Sequence, residues 1–230
     1  MKLPASLKLA ALALASTLAA QSAFAAIIIS EVDAAGSATS TYANDWFELT
    51  NTGSAAVDIT GWKIDDNSNA FGSAVALRGV TSIAAGQSVV FIESNASGSN
   101  DASIDAAFMQ AWFGSKAPAN LVIGNYGGSG VGLSQTSDAV NIFTSTGTLV
   151  TRVDFGASAL GNTFDNAAGL NNVTLTTFSA AGVHGAFTSA NGVEVGSPGT
   201  ISAVPEPTSL ALLMASMGVL TLASMGRQDD

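Results

Sequence analysis

Cysteine is absent from this 230-residue chain, histidine occurs once, and only 10% of positions are Asp, Glu, Lys or Arg. Without thiols there is no disulfide, no thiolate metal site and no cysteine nucleophile, so stability must come from packing, with or without bound ions. The lone His184, between Ala181 and Gly185 in an Ala-Gly-Val-His-Gly run, cannot assemble a zinc site of the common kinds. It reads as a surface loop residue. A Ser-His-Asp triad is disfavoured because no Gly-x-Ser-x-Gly elbow falls between a strand and a helix. Cations are scarcer than acids, seven against seventeen, for a formal net charge of -10. A phosphate backbone is gripped mainly by Lys and Arg, and the central region offers only Lys63, Arg78, Lys116 and Arg152. Duplex nucleic acid is therefore not an expected partner unless a divalent cation bridges the two.

Proline is sparse, at five residues, while glycine numbers 24 beside abundant Ala, Ser, Thr and Asn. That balance predicts frequent turns and short strands, an all-β sandwich and not a helical bundle. Between Ala26 and about Ala203, apolar residues recur mostly with period two, interrupted by Gly, Asn, Ser and Asp clusters. The alternation predicts strands at 27–32, 45–51, 62–65, 88–93, 139–143, 149–155 and 173–178, each with one face in a core and the other in water. One short internal helix is expected after an N-cap at Asp101 or Ser103, with Ile104, Ala107, Phe108, Ala111 and Trp112 on one stripe covering an open end of the sandwich. No fixed-period repeat and no long linker divides this region, so it is read as one domain, residues 26–200.

The two ends read as addresses. Residues 1–25 carry Lys2 and Lys8, then an apolar run from Leu9 to Ala20, then an A-x-A site formed by Ala23 and Ala25. This is the pattern of a secretory signal peptide, an N-terminal signal helix removed by signal peptidase after Ala25. Residues 208–225 contain no charge and predict a C-terminal transmembrane helix, since eighteen residues reach about 27 Å. Val204-Pro205-Glu206-Pro207 stands directly before that stretch, and Arg227 follows it. Residues 201–230 thus resemble the PEP-CTERM sorting signal of Gram-negative bacteria. The resemblance implies an exosortase-type sorting protease as a partner, Pro205, Glu206 and Pro207 as its recognition element, and an association with exopolysaccharide and biofilm. The usual terminal cluster of basic residues is reduced here to Arg227, opposed by Asp229 and Asp230.

A second resemblance lies in the middle of the chain. Ile29-Ser30-Glu31-Val32 is followed by Asp45-Trp46-Phe47-Glu48-Leu49-Thr50-Asn51-Thr52-Gly53 and by Val57-Asp58-Ile59-Thr60-Gly61-Trp62. These strings, with Gly196-Ser197-Pro198-Gly199 as a closing turn, are similar to the lamin-tail domain, which implies an immunoglobulin-like β-sandwich. The fold-defining positions of the pattern are Trp46, Glu48, Asn51, Gly53, Gly61 and Trp62. By their own chemistry, Gly53 is expected to permit a positive φ in the turn after a strand, and Gly61 to let two chains approach. Trp46 and Trp62 are expected to pack in the core or at the end of the sandwich.

No catalytic constellation follows from these residues. Asp65 and Asp66 point to opposite faces of a strand and cannot easily share a proton, and Glu31, Asp33 and Glu48 are the other carboxylates considered for acid–base work. Asp65, Asp66 and Asn67 form a candidate calcium site by their oxygen ligands, and no other cofactor is expected. The glycine-rich stretch 124–132 lacks a phosphate-binding ending and reads as a mobile loop. The chain is accordingly expected to be a non-enzymatic adhesion or matrix module at the cell surface. Its loops 39–44, 66–72 and 124–132 would offer polar contacts to exopolysaccharide or surface proteins. The alternatives are a secreted hydrolase of extracellular polymer, or a scaffold for a separate enzyme.

Overall fold

Alternation does build strands here, and the two apolar faces it creates come together. A computed structural model describes residues 27–167 and 169–200. The signal segment with Ala23 and Ala25, the Pro205-Glu206-Pro207 motif and the expected membrane helix lie outside the described residues. Among the described residues, no helix is long and apolar enough to cross a membrane.

The strands in chain order are β1 (Ile27–Asp33), β2 (Trp46–Asn51), β3 (Val57–Asp58), β4 (Lys63–Asp65), β5 (Val75–Ala76), β6 (Ser82–Ile83) and β7 (Ser88–Ser94). They continue as β8 (Ile123–Gly127), β9 (Asp138–Phe143), β10 (Leu149–Phe155), β11 (Phe164–Asp165), β12 (Thr174–Leu175), β13 (Phe187–Thr188) and β14 (Val195–Gly196). One five-stranded sheet runs β11-β1-β2-β7-β8 and the other β12-β10-β9-β4-β5, with β3-β6 and β13-β14 as small ribbons. The large sheets face each other across a core of Ile29, Val32, Phe47, Leu49, Val89 and Phe91 on one side and Ile64, Val140, Ile142, Val153 and Phe155 on the other. This is an all-β sandwich of the immunoglobulin-like kind.

The expectation of one wet face fails for the first sheet, where every residue of β1 and β2 is buried. The long helix Asp101–Phe113 lies against the outer face of that sheet, not over an open end. Its Ile104, Phe108, Ala111 and Trp112 pack on Trp46, Val90 and Ile92, so Trp46 contributes to a second core. The N-cap is Asn100, and Asp101 instead pairs with Arg78 at 3.0 Å. The second sheet behaves as alternation predicts: Thr151, Val153 and Phe155 are buried while Arg152 and Asp154 lie half-buried on the other face. A bulge between Leu149 and Thr151 turns Leu149 outward.

Two other departures have local causes. Residues 124–127, expected within the mobile loop 124–132, instead belong to the buried strand β8, parallel to β7. Glycine is needed at 124 because a Cβ there would sit 2.6 Å from the Phe91 ring and 2.7 Å from the Arg78 carbonyl. The predicted strand 173–178 shrinks to Thr174–Leu175, with Phe178 joined to Phe164 by a single bridge.

The start and finish of the described domain meet at one pole. Ile27 pairs with Asn51, whose amide donates to the Gln87 carbonyl. Gly199 lines a shallow cavity with Ala84, Gly86 and Gln87.

Candidate functional site

The outer face of the first sheet is apolar under the helix and polar beside it. Ser30, Glu31 and Asp33 on β1, Glu48 and Thr50 on β2, and Ser88 on β7 are all buried. A bulge between Ile29 and Glu31 shifts the register there and leaves Glu31 opposite Glu48. A terminal strap, residues 194–200, closes over them. Glu31 Oε1 accepts the Ser197 amide at 2.8 Å and the Thr163 hydroxyl at 2.5 Å, while Oε2 accepts the Ser197 hydroxyl at 3.0 Å. The Gly199 amide donates to Glu48 Oε2 at 2.6 Å, and the Ser30 hydroxyl to Glu48 Oε1 at 2.6 Å. Hydroxyls of Thr50 and Ser88 extend this chain, at 2.7 Å from Ser30 to Thr50 and 2.6 Å from Thr50 to Ser88.

Burial dominates the electrostatics, since an ionised carboxylate loses its hydration inside the protein. It pushes Glu31 up to about 8, with the neighbouring Glu48 charge adding to the effect. Glu48 is pushed up to about 7 by burial, against the lowering influence of its Ser30 and Gly199 hydrogen bonds. A second acid pair lies further along. Asp33 is pushed up to about 8, chiefly by burial, and Glu194 is raised by burial too. Glu194 Oε1 accepts the Tyr42 hydroxyl at 2.6 Å, and that same oxygen of Tyr42 accepts the indole N–H groups of Trp46 at 3.0 Å and Trp112 at 3.2 Å. Glu194 Oε2 finds no donor among the described residues while both acids are ionised. A proton on Asp33 makes a side-chain hydrogen bond to Glu194, which is how two buried carboxyls coexist.

This cluster is closed off from solvent. Glu31 and Glu48, under the strap, and Glu194, at its start, are each 1% exposed. Its chemistry is that of a fastener: carboxyl oxygens hold the amides and hydroxyls of the strap against the sheet. The closing turn takes part in that fastening, through the Gly199 amide beside the buried Pro198.

The other sequence-selected residues fall in separate places. Asp65 is fully buried and holds the turn that follows it, Oδ2 accepting the Ser68 hydroxyl and the Ala70 amide, both at 2.7 Å, and Oδ1 the Ser73 hydroxyl at 3.2 Å. Asp66 caps the Ser68 amide at 2.9 Å, and Asn67 is exposed, its amide donating to Asp138. Among the described residues, no three His, Asp or Glu side chains are grouped to hold one metal ion. Removing the Asp65 carboxylate with Asp65→Ala should cost about 2 kcal/mol, because three donors of the turn lose their buried acceptor. Urea unfolding followed by fluorescence measures it.

Asn51 ties three segments together, its Nδ2 donating to the Ala55 and Ile83 carbonyls and its Oδ1 accepting the Gly53 amide. Gly53 is not among the glycines with positive φ, so what the turn uses is its amide. Gly61 does adopt φ +73°, with Ser145 Cβ 3.1 Å from where its own Cβ would lie. Trp62 packs in the inter-sheet core.

A second arrangement was not expected from the sequence: His184 Nδ1 lies 2.6 Å from Asp165 Oδ2 beside a surface cavity. The residues are 19 apart on loop and edge strand, and no local spacing signals the meeting.

Two facing sheets, a covering helix and a buried carboxylate network define a β-sandwich module held together by internal polar fastenings. The lamin tail domain model matches residues 20–157, and the chain belongs to that family. No curated protein matches it. Residues 158–200, which carry the strap and the His184–Asp165 pair, lie beyond the matched range.

Proposed function

We propose that the chain is an exported, membrane-sorted protein of the bacterial surface or extracellular matrix, acting by binding and not by catalysis. The observation that carries this reading is the Val204-Pro205-Glu206-Pro207 quartet directly ahead of the uncharged stretch 208–225, together with the Ala23-x-Ala25 site behind an apolar run. Signal peptidase and an exosortase-type protease are its processing partners, the precursor sits in the inner membrane through 208–225, and the finished module resides at the surface. The burial of Glu31 and Glu48 under the strap supports a binding role, because those carboxylates have no access to a polymer. The acidic balance argues against nucleic acid and leaves exopolysaccharide or surface proteins as partners.

Mass spectrometry of the protein recovered from cells and from medium tests both addresses at once. The expected result is an N-terminus at Ala26 and a C-terminus shortened near Pro205–Pro207 in the surface fraction, with Glu206→Ala retaining the full tail. Recovery from the cytosol with Met1 attached would refute export. Hydrolysis of a polysaccharide by the protein, abolished by one carboxylate substitution, would refute the binding role.

A further inference from the structure

The cavity beside His184 lies away from the carboxylate fastening and outside the matched family range. It has a volume of about 160 Å³ and is lined by Asp165, Leu170, Leu175, His184 and the run of threonines at 174, 176 and 177. Drug-type pockets run to roughly 300 to 1,000 Å³, so this one takes a single ring and not an extended small molecule.

Its polar groups divide into spent and unspent. Asp165 is spent: Oδ1 accepts the Ala167 amide at 2.8 Å and Oδ2 faces His184 Nδ1 at 2.6 Å. That contact fixes the imidazole orientation, and in the neutral ring it places the proton on Nδ1 and leaves the Nε2 lone pair open. The backbone of His184 adopts φ +48°, held between the Ala180 and Ala186 turns. The hydroxyls of Thr174, Thr176 and Thr177 are exposed and make no hydrogen bond among the described residues. Leu170 and the buried Leu175 supply an apolar wall.

We propose that this cavity binds one ring of a neutral saccharide. A pyranose has hydroxyls at its rim and C–H groups on its faces, which suits a lone-pair acceptor, three rotatable hydroxyls and a leucine wall. An anionic ligand is disfavoured by the Asp165 carboxylate directly behind the imidazole and by the net charge of -10. A metal ion is disfavoured because Asp165 is already occupied and no third ligand converges. Nucleophilic catalysis lacks a Ser or Thr hydroxyl hydrogen-bonded to the imidazole. The inference names a ligand class for the binding role proposed above, but it is independent of export and is tested on the purified chain.

Saturation-transfer NMR on the intact chain, with methyl glycosides of glucose, galactose, mannose, N-acetylglucosamine and glucuronic acid, tests it. At least one neutral glycoside should receive saturation at its ring C–H protons, and the glucuronide markedly less. His184→Asn, which suits the left-handed backbone, should weaken that binding about fivefold or more, as should Thr176→Val, an exposed change that leaves the fold in place. Asp165→Asn should weaken it while the His184 side-chain ¹⁵N resonances report the altered tautomer. Silence from every neutral glycoside, equal response from the glucuronide, or indifference to His184→Asn and Thr176→Val together would each overturn the assignment. Failure here leaves the termini found by mass spectrometry, and hence export, untouched.

Discussion

Stability of the domain should fall by about 4 kcal/mol as pH is raised from about 5 to about 8, the reverse of a protein whose carboxylates are held by cations. Glu31 is raised from an ordinary 4.5 to about 8 and Asp33 from 3.8 to about 8. The folded state therefore binds these protons more tightly than the unfolded chain does. Their stabilisation is fully present below the unfolded values and is lost as pH climbs through the folded ones. One carboxyl displaced that far corresponds to roughly 5 to 6 kcal/mol over its whole range, of which about 4 falls between about pH 5 and 8. Adding the four acids naively would exceed the whole stability of a domain. Glu31 and Glu48 titrate as a pair, and opening of the strap would hydrate them before global unfolding, so the observed loss stays near that of one group. Glu31→Gln keeps an oxygen for Thr163 and the Ser197 amide and offers an N–H to the Ser197 hydroxyl. It should flatten the curve, so that the variant outlasts the wild type at pH 8 but not at pH 5. Urea midpoints across the range decide this, and a rise of stability with pH would contradict it.

Trp112→Ala should destabilise the domain by about 4 kcal/mol and raise hydrogen exchange in residues 186–196. The indole is 1% exposed and stands in edge contact with Trp46 at 5.8 Å and Phe187 at 5.7 Å between ring centroids. Truncating such a ring loses its transfer energy and leaves a cavity, together about 3 to 5 kcal/mol. The same residue also anchors the terminal segment through its backbone, the Ala190 amide donating to the Trp112 carbonyl at 3.0 Å. Tyr42→Phe isolates the polar part of the anchor. It strands two indole N–H groups and Glu194 Oε1 at a cost of about 2 kcal/mol, and the double variant should lose less than the sum because both changes disrupt one network. Additive losses would show that the ring and the hydroxyl act separately.

How much of this was readable beforehand depended on whether the cause was local. The strands β1, β2, β7, β9 and β10 follow from alternation, and the helix from its stripe at Ile104, Phe108, Ala111 and Trp112. The tertiary partner of that helix was not local. Trp46, Val90 and Ile92 occupy positions that alternation assigns to solvent, and only their size hinted that something covers them. Strand β8 hid behind glycines, which usually mark loops but here allow Phe91 and Arg78 to come close. The carboxylate fastening joins Glu31 to Ser197 across 166 residues and Tyr42 to Glu194 across 152, distances at which no periodicity informs. A clue did exist: Ser30, Thr50 and Ser88 share the outer face with Glu31 and Glu48, a row of small hydroxyls suited to solvating buried acids.

Because Ile27 pairs with Asn51, which is bonded to Gln87, and Gly199 lines a cavity with that same Gln87, the two ends of the described domain could be joined by a short glycine-serine bridge and the chain reopened elsewhere. A circular permutant cut in the exposed turn at Asn67–Asn69 would keep every sheet pairing and both fastenings. The same closeness would let the whole module be grafted into a surface loop of an unrelated host, adding little closure entropy to the recipient.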